Sequence, residues 1–169
     1  MFKTIVLAHD GSAASERVLL YAEHMARQAD VELIIVHAYQ PPKAYEWTDR
    51  YEHLAAEYER VANEVAQDAV DALHRSGVKA MADVRVGAPV EAIMEAVGFH
   101  QADLIVMGGR AQKRPNVPEA LLGSVSAAIL RYANCPVLVV PRARSVAGYC
   151  CDNPLTPLIL CGKSGLALQ

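Results

Sequence analysis

Four short runs of Val, Ile and Leu with almost no alternation, at residues 3–8, 31–37, 103–107 and 136–140, constrain this chain most. A strand with one face in water alternates apolar and polar residues, so an unbroken apolar run belongs to a strand covered on both faces. A fifth run, 78–86, alternates Val84 and Val86 with Asp83 and Arg85. Helical patterns lie between the runs. Residues 12–29 carry Val18, Ala22, Met25, Ala26 and Ala29 at spacings of three and four. Residues 51–76 place Leu54, Tyr58, Val61, Val65, Ala69, Ala72 and Leu73 on one stripe, and shorter patterns cover 89–97 and 123–132. Strands alternating with helices imply an α/β fold, a five-stranded parallel sheet with right-handed crossovers and helices on both faces.

Local signals mark the ends of these elements. Ser12 is placed to cap the first helix, with Ser15 or Glu16 in its first turn. Gly77 stands just past the second helix, where a left-handed residue is wanted, and Pro89 in the first turn of the third. Residues 39–49 and 112–118 read as Pro-containing loops. The pattern stops at Pro141, so the expected organisation is one domain, 1–141, and a tail, 142–169, either disordered or docked on the sheet edge.

Hydrophobic residues make up 53% and charged residues 21% of the 169, an ordinary globular composition. The net charge of -3 gives no electrostatic footprint for nucleic acid or an anionic membrane, so neither is expected as a partner. The apolar run 136–141 is far too short to span a bilayer. Met1 opens directly into a strand pattern and no secretory signal follows, so a cytoplasmic location with reduced thiols is expected. Cys135 reads as a small core residue; Cys150, Cys151 and Cys161 fall in the tail, and none of the four forms a C-x-x-C pair.

Several segments together resemble the universal stress protein family. Ile5-Val6-Leu7-Ala8-His9-Asp10-Gly11-Ser12 is similar to the opening of those proteins, and Ala102 through Arg110, with Gly108-Gly109, to their fourth strand and phosphate loop. Gly87-Ala88-Pro89 resembles the turn before their third helix. Gly123-Ser124-Val125-Ser126 with Cys135-Pro136-Val137-Leu138-Val139-Val140 resembles their last helix and strand. The match spans residues 2–141. It implies strand order 3-2-1-4-5, which reverses between the first and fourth strands, and ligands of open parallel sheets bind beyond the carboxyl ends at such a reversal.

The resemblance implies binding of ATP or AMP, with Mg2+ as an accompanying ion. The contact residues would be Ala8, Asp10, Ser12, Val36, Met107, Gly108, Arg110, Gly123, Ser124, Val125 and Ser126. Asp10 is placed to accept from ribose hydroxyls or to cap the first helix, and the two roles are compatible. Glycines allow backbone N–H groups to approach a phosphate, and the helix opening at Gly123-Ser124 favours an anion. Alone, those residues read better as a plain turn at the glycines and a helix cap at Ser124. Val36 would flank the adenine. His37 is expected to serve a strand-end network, and His9 to point away from Asp10.

The chain departs from the family's glycine pattern. That pattern is glycine, two residues, glycine, nine residues, glycine and then Ser or Thr; here two residues separate Gly108 from Ala111, not glycine, and eleven, 112–122, separate Ala111 from Gly123. Alanine in a left-handed conformation costs about 1–2 kcal/mol. Lys113 and Arg114 in the insertion read first as a solvated charged loop and second as charges that would pair with phosphate and offset part of that cost. No Walker A or nucleophile-elbow motif occurs, no metal-ligand spacing is visible and no catalytic residue stands out, so binding is expected rather than turnover, with slow ATP hydrolysis as the most an enzyme reading supports. The altered loop keeps a second reading open: a dimeric interaction module of the same fold without a nucleotide. Val137, Leu138, Val139 and Val140 would form an exposed edge strand, and the resemblance implies a homodimer through it. Regulatory partners and the stress involved are not readable from the sequence.

Overall fold

The structure, a computed structural model, describes residues 2–47, 50–109 and 123–141. Arg110, Ala111, the inserted loop with Lys113 and Arg114, and the tail with its three cysteines lie outside the described residues. The chain runs β1 (Thr4–Ala8), α1 (Ala13–Ala29), β2 (Glu32–Tyr39), α2 (Tyr51–Arg75), β3 (Ala80–Val86), α3 (Pro89–Phe99), β4 (Leu104–Gly109), α4 (Ser124–Tyr132) and β5 (Val137–Pro141), with a 3-10 turn, Lys43–Tyr45, between β2 and α2. All strand pairings are parallel, in the expected order β3-β2-β1-β4-β5.

The apolar runs divide between two layers by strand parity. Ile5, Leu7, Leu33, Ile35 and Val106 pack with Val18, Leu19 and Ala22 of α1 and Ala69, Val70 and Leu73 of α2. Val6, Ile34, Val36, Ile105 and Met107 pack with Ile93, Ala96 and Val97 of α3 and Ile129 of α4. The lack of alternation in the sequence thus reflects two buried faces. Cys135 is only partly buried and packs at the margin of the second layer rather than inside it.

Helix ends follow local chemistry. Ser12 caps α1, its hydroxyl accepting the N–H of Ser15. Gly77 adopts φ +76 just beyond α2. Helix α3 runs two residues past the expected Val97, through Gly98 to Phe99, and the chain then turns at Gln101 with φ 51. A polar clamp sits at its end. Asp83 of β3 accepts from His100 Nε2 at 2.8 Å and from Arg85 Nη2 at 2.8 Å, tying an edge strand to the end of α3.

Burial acts to raise the Asp83 carboxyl, but hydrogen bonds from Arg85 and His100 outweigh it and hold the group below the usual carboxylate range. A depressed carboxyl contributes stability that is complete above its unfolded value of about 3.9 and is lost as pH falls through its lower folded value. Asp83→Asn is therefore expected to lower the unfolding free energy at pH 7 by about 1–3 kcal/mol and to flatten the loss of stability below about pH 4. Urea titrations at both pH values check this. An unchanged midpoint at pH 7 would contradict it.

Candidate functional site

Because β1 pairs with β2 on one side and β4 on the other, the segments leaving β1 and β4 diverge to opposite faces and open a crevice at the carboxyl ends. On the β1 side, a tight turn precedes α1. Gly11 has φ +72, and a Cβ there would stand 2.9 Å from Val65 Cγ1 of α2, so both backbone and space call for glycine. Asp10 organises this turn. Its Oδ1 accepts the Ser12 N–H at 3.1 Å and the Ser12 hydroxyl at 2.6 Å, and also accepts from the Ser15 hydroxyl. The Asp10 N–H donates to Ser15 Oγ at 3.2 Å. The carboxylate is thus held at the crevice by the first turn of α1, and its capping role is realised in the structure.

On the β4 side, Gly108 packs where a Cβ would lie 3.4 Å from Val18 Cγ2, so the strand end sits close against α1. Gly123, not Ser124, is the N-cap of α4, and among the described residues no side-chain cap is made there. Ser124 is the first helical residue and is exposed. Ser126 is buried, and its hydroxyl donates to the Gly123 carbonyl at 3.1 Å, so its proton fixes the entry to α4. The N-terminus of α4 therefore carries unpaired N–H groups and partial positive charge among the described residues.

These walls enclose a cleft of about 670 Å³, within the size range of small-molecule sites. Ala8, Asp10, Ser12, Val36, Met107, Gly108, Gly123, Ser124, Val125 and Ser126 all line it, and Arg110 lies outside the described residues. The lining is divided. Val36, Ile93, Met107 and Val125 supply apolar surface, while Asp10, Ser12, the glycines and the start of α4 supply polar groups. The Val36 carbonyl accepts the His9 N–H at 3.0 Å, which leaves one lone pair at that strand end.

Sequence reasoning missed Ile93 and Pro89 of α3, Ala38 of β2, and Ser15 as lining residues. The turn Gly87-Ala88-Pro89 was the available signal, since it starts α3 at the carboxyl end of β3 and brings its first residues over the crevice. His37 has the structural role expected: its Nδ1 donates to the His9 carbonyl at 2.8 Å. His9 and Asp10 do not pair. The His9 ring is turned toward Gly11 and Glu16.

The sequence model of the universal stress protein family matches residues 1–141. A universal stress protein of Thermus aquaticus, encoded in the QAH/OAS sulfhydrylase 3' region, is 37% identical over 141 residues, covering 83% of this chain and 99% of that one. The solved structure of hypothetical protein MJ0577 matches with a TM-score of 0.73 and 27% identity, over 86% of this chain and 99% of that one. A universal stress protein solved in complex with cAMP matches with a TM-score of 0.66 and 27% identity, over 84% and 99%. An open five-stranded parallel sheet with a cleft at its reversal point defines the class. This chain belongs to the universal stress protein family. Among the described residues no helix is long and apolar enough to cross a membrane.

Proposed function

We propose that this protein binds an adenine nucleotide in the cleft between the ends of β1 and β4 and acts as a regulatory stress-response protein through that binding. One observation carries the reading: every expected contact residue within the described chain lines a single cleft at the strand-order reversal. The base would lie against Val36, Ile93 and Met107. The ribose hydroxyls would meet Asp10 and Ser12, and the phosphate the N–H groups at Gly108-Gly109 and the uncapped start of α4. The relative solved with cAMP supports an adenine nucleotide as the ligand class.

Calorimetric titration with cAMP, AMP, ADP and ATP, the last two with and without Mg2+, tests the reading. A ligand at a hundred times its dissociation constant should stabilise the fold by about 2.7 kcal/mol, visible as a raised melting temperature. No heat and no shift at millimolar nucleotide would favour the alternative, a dimeric interaction module, for which Ala111 and the lengthened loop speak.

The partner proposed under either reading is a second copy through β5. This strand pairs only with β4 among the described residues, and Leu138 is 36% exposed on it. Antiparallel pairing of two such edges would satisfy their N–H and C=O groups. Leu138→Lys is expected to shift the mass measured by light scattering from dimer to monomer, and an unchanged mass would rule out this edge.

A further inference from the structure

Among the described residues, His9 is the buried titratable side chain of the cleft wall that the nucleotide reading leaves without a task. It is 4% exposed, sits at the end of β1 and is followed directly by Asp10 and Gly11. Its Nδ1 lies 3.4 Å from the Gly11 nitrogen in accepting geometry. In the neutral ring that contact favours the tautomer with the lone pair on Nδ1 and the proton on Nε2. Among the described residues, Nε2 is buried without a hydrogen bond, and Glu16 Oε1 in the first turn of α1 lies 3.5 Å from it. The charged and titratable groups around the ring are Glu16 from α1, His37 from β2 and Asp10 from the turn, while α2 presents Val65 to the same turn.

From this arrangement we infer that His9 is a positioning residue, whose neutral imidazole holds the Asp10–Gly11 turn in its binding geometry and whose protonation releases it. A second proton can enter only at Nδ1. There it would replace the acceptor with a donor facing the Gly11 N–H, so the contact becomes repulsive. The Gly11 backbone then shifts, and the Asp10 carboxylate, one residue earlier in the same turn, is displaced with it. Glu16 stands where it would stabilise the resulting imidazolium through Nε2, so the protonated state has a partner of its own. Burial is the largest influence on the ring and lowers its affinity for protons, with His37 acting the same way; Glu16 and Asp10 oppose them. The transition therefore falls below the ordinary value of 6.5.

The link from the turn to ligand affinity rests on the nucleotide reading, but the turn itself can be followed without a ligand. In the free protein, the Gly11 amide resonance is expected to titrate with the same midpoint as the His9 ring, below pH 6.5. A Gly11 amide that does not respond while His9 titrates would overturn the inference, whatever the protein binds. With AMP as the probe, affinity should fall about fivefold through the same transition, the size of one lost hydrogen bond. His9→Leu, which removes the acceptor, should weaken AMP binding by a similar factor at pH 7.5. His9→Asn, which can accept from Gly11 but does not titrate, should restore most of the loss and remove the pH dependence. A His9→Asn protein retaining the wild-type pH profile would contradict the assignment. Failure of AMP to bind at any pH would instead count against the nucleotide reading and leave the Gly11 titration as the deciding result.

Discussion

Gly11→Val is expected to be among the most damaging single substitutions in this protein, costing about 2–4 kcal/mol of stability and abolishing ligand binding. Two costs add. A β-branched residue at φ +72 pays the left-handed penalty of about 1–2 kcal/mol or more. Its Cβ would also enter the space of Val65, 2.9 Å from Cγ1, and relieving such overpacking costs typically 1–3 kcal/mol. Val65 belongs to a short, branched side chain on a packed helix, so it cannot simply swing aside. The turn must move instead, and it carries Asp10 with it. Gly11→Ala carries both costs, so the difference between the two variants isolates what the branched side chain adds beyond Cβ. Urea denaturation of both variants, with AMP titration of whichever folds, is the check. A Gly11→Val protein within 0.5 kcal/mol of wild type would show that the turn is not as tightly packed as described.

Asp10→Ala should weaken nucleotide binding by on the order of tenfold to a hundredfold, the range expected on losing a charge-assisted hydrogen bond. It should also destabilise the free protein by about 1–3 kcal/mol. The second effect follows from the carboxylate's local work: Oδ1 accepts the Ser12 N–H and the hydroxyls of Ser12 and Ser15. Ser15 is buried, so its hydroxyl would lose a partner in a place water reaches poorly. Asp10→Asn distinguishes the two roles. Its amide oxygen can still accept from the turn, so stability should largely return, while binding stays weak if the negative charge matters to the ribose. Equal binding by all three proteins would remove Asp10 from the ligand site.

The strand order and most of the cleft were legible in the sequence for separable reasons. Unbroken apolar runs such as Ile5 to Leu7 and Leu33 to Val36 mark strands covered on both faces, and parity then divides them between the two helical layers. The resemblance supplied the order, and the order placed the β1 and β4 loops together. Contacts set by tertiary geometry were less legible. Nothing in the local pattern brings His100 to Asp83, and the helix expected over 89–97 runs on to Phe99. Ser124 reads as a cap because serine favours that role, yet Gly123 takes it and Ser126 fixes the turn through the Gly123 carbonyl. The lining by Ile93 depends on how far α3 leans over the sheet, a distance that periodicity does not encode. For His9, alternation gave the direction away from Asp10 but not the Gly11 and Glu16 groups it meets there.

The central claim is that one ligand bridges the two strand ends. Amide chemical-shift mapping of the labelled protein, with AMP added to saturation, tests it most directly. The expected result is a single set of perturbed residues: the turn from Asp10 to Ser12, the strand end at Gly108 and Gly109, and the start of α4 from Gly123 to Ser126, with Val36 and Ile93 between them. Perturbation confined to one of these segments, or centred on residues outside the cleft, would contradict the account.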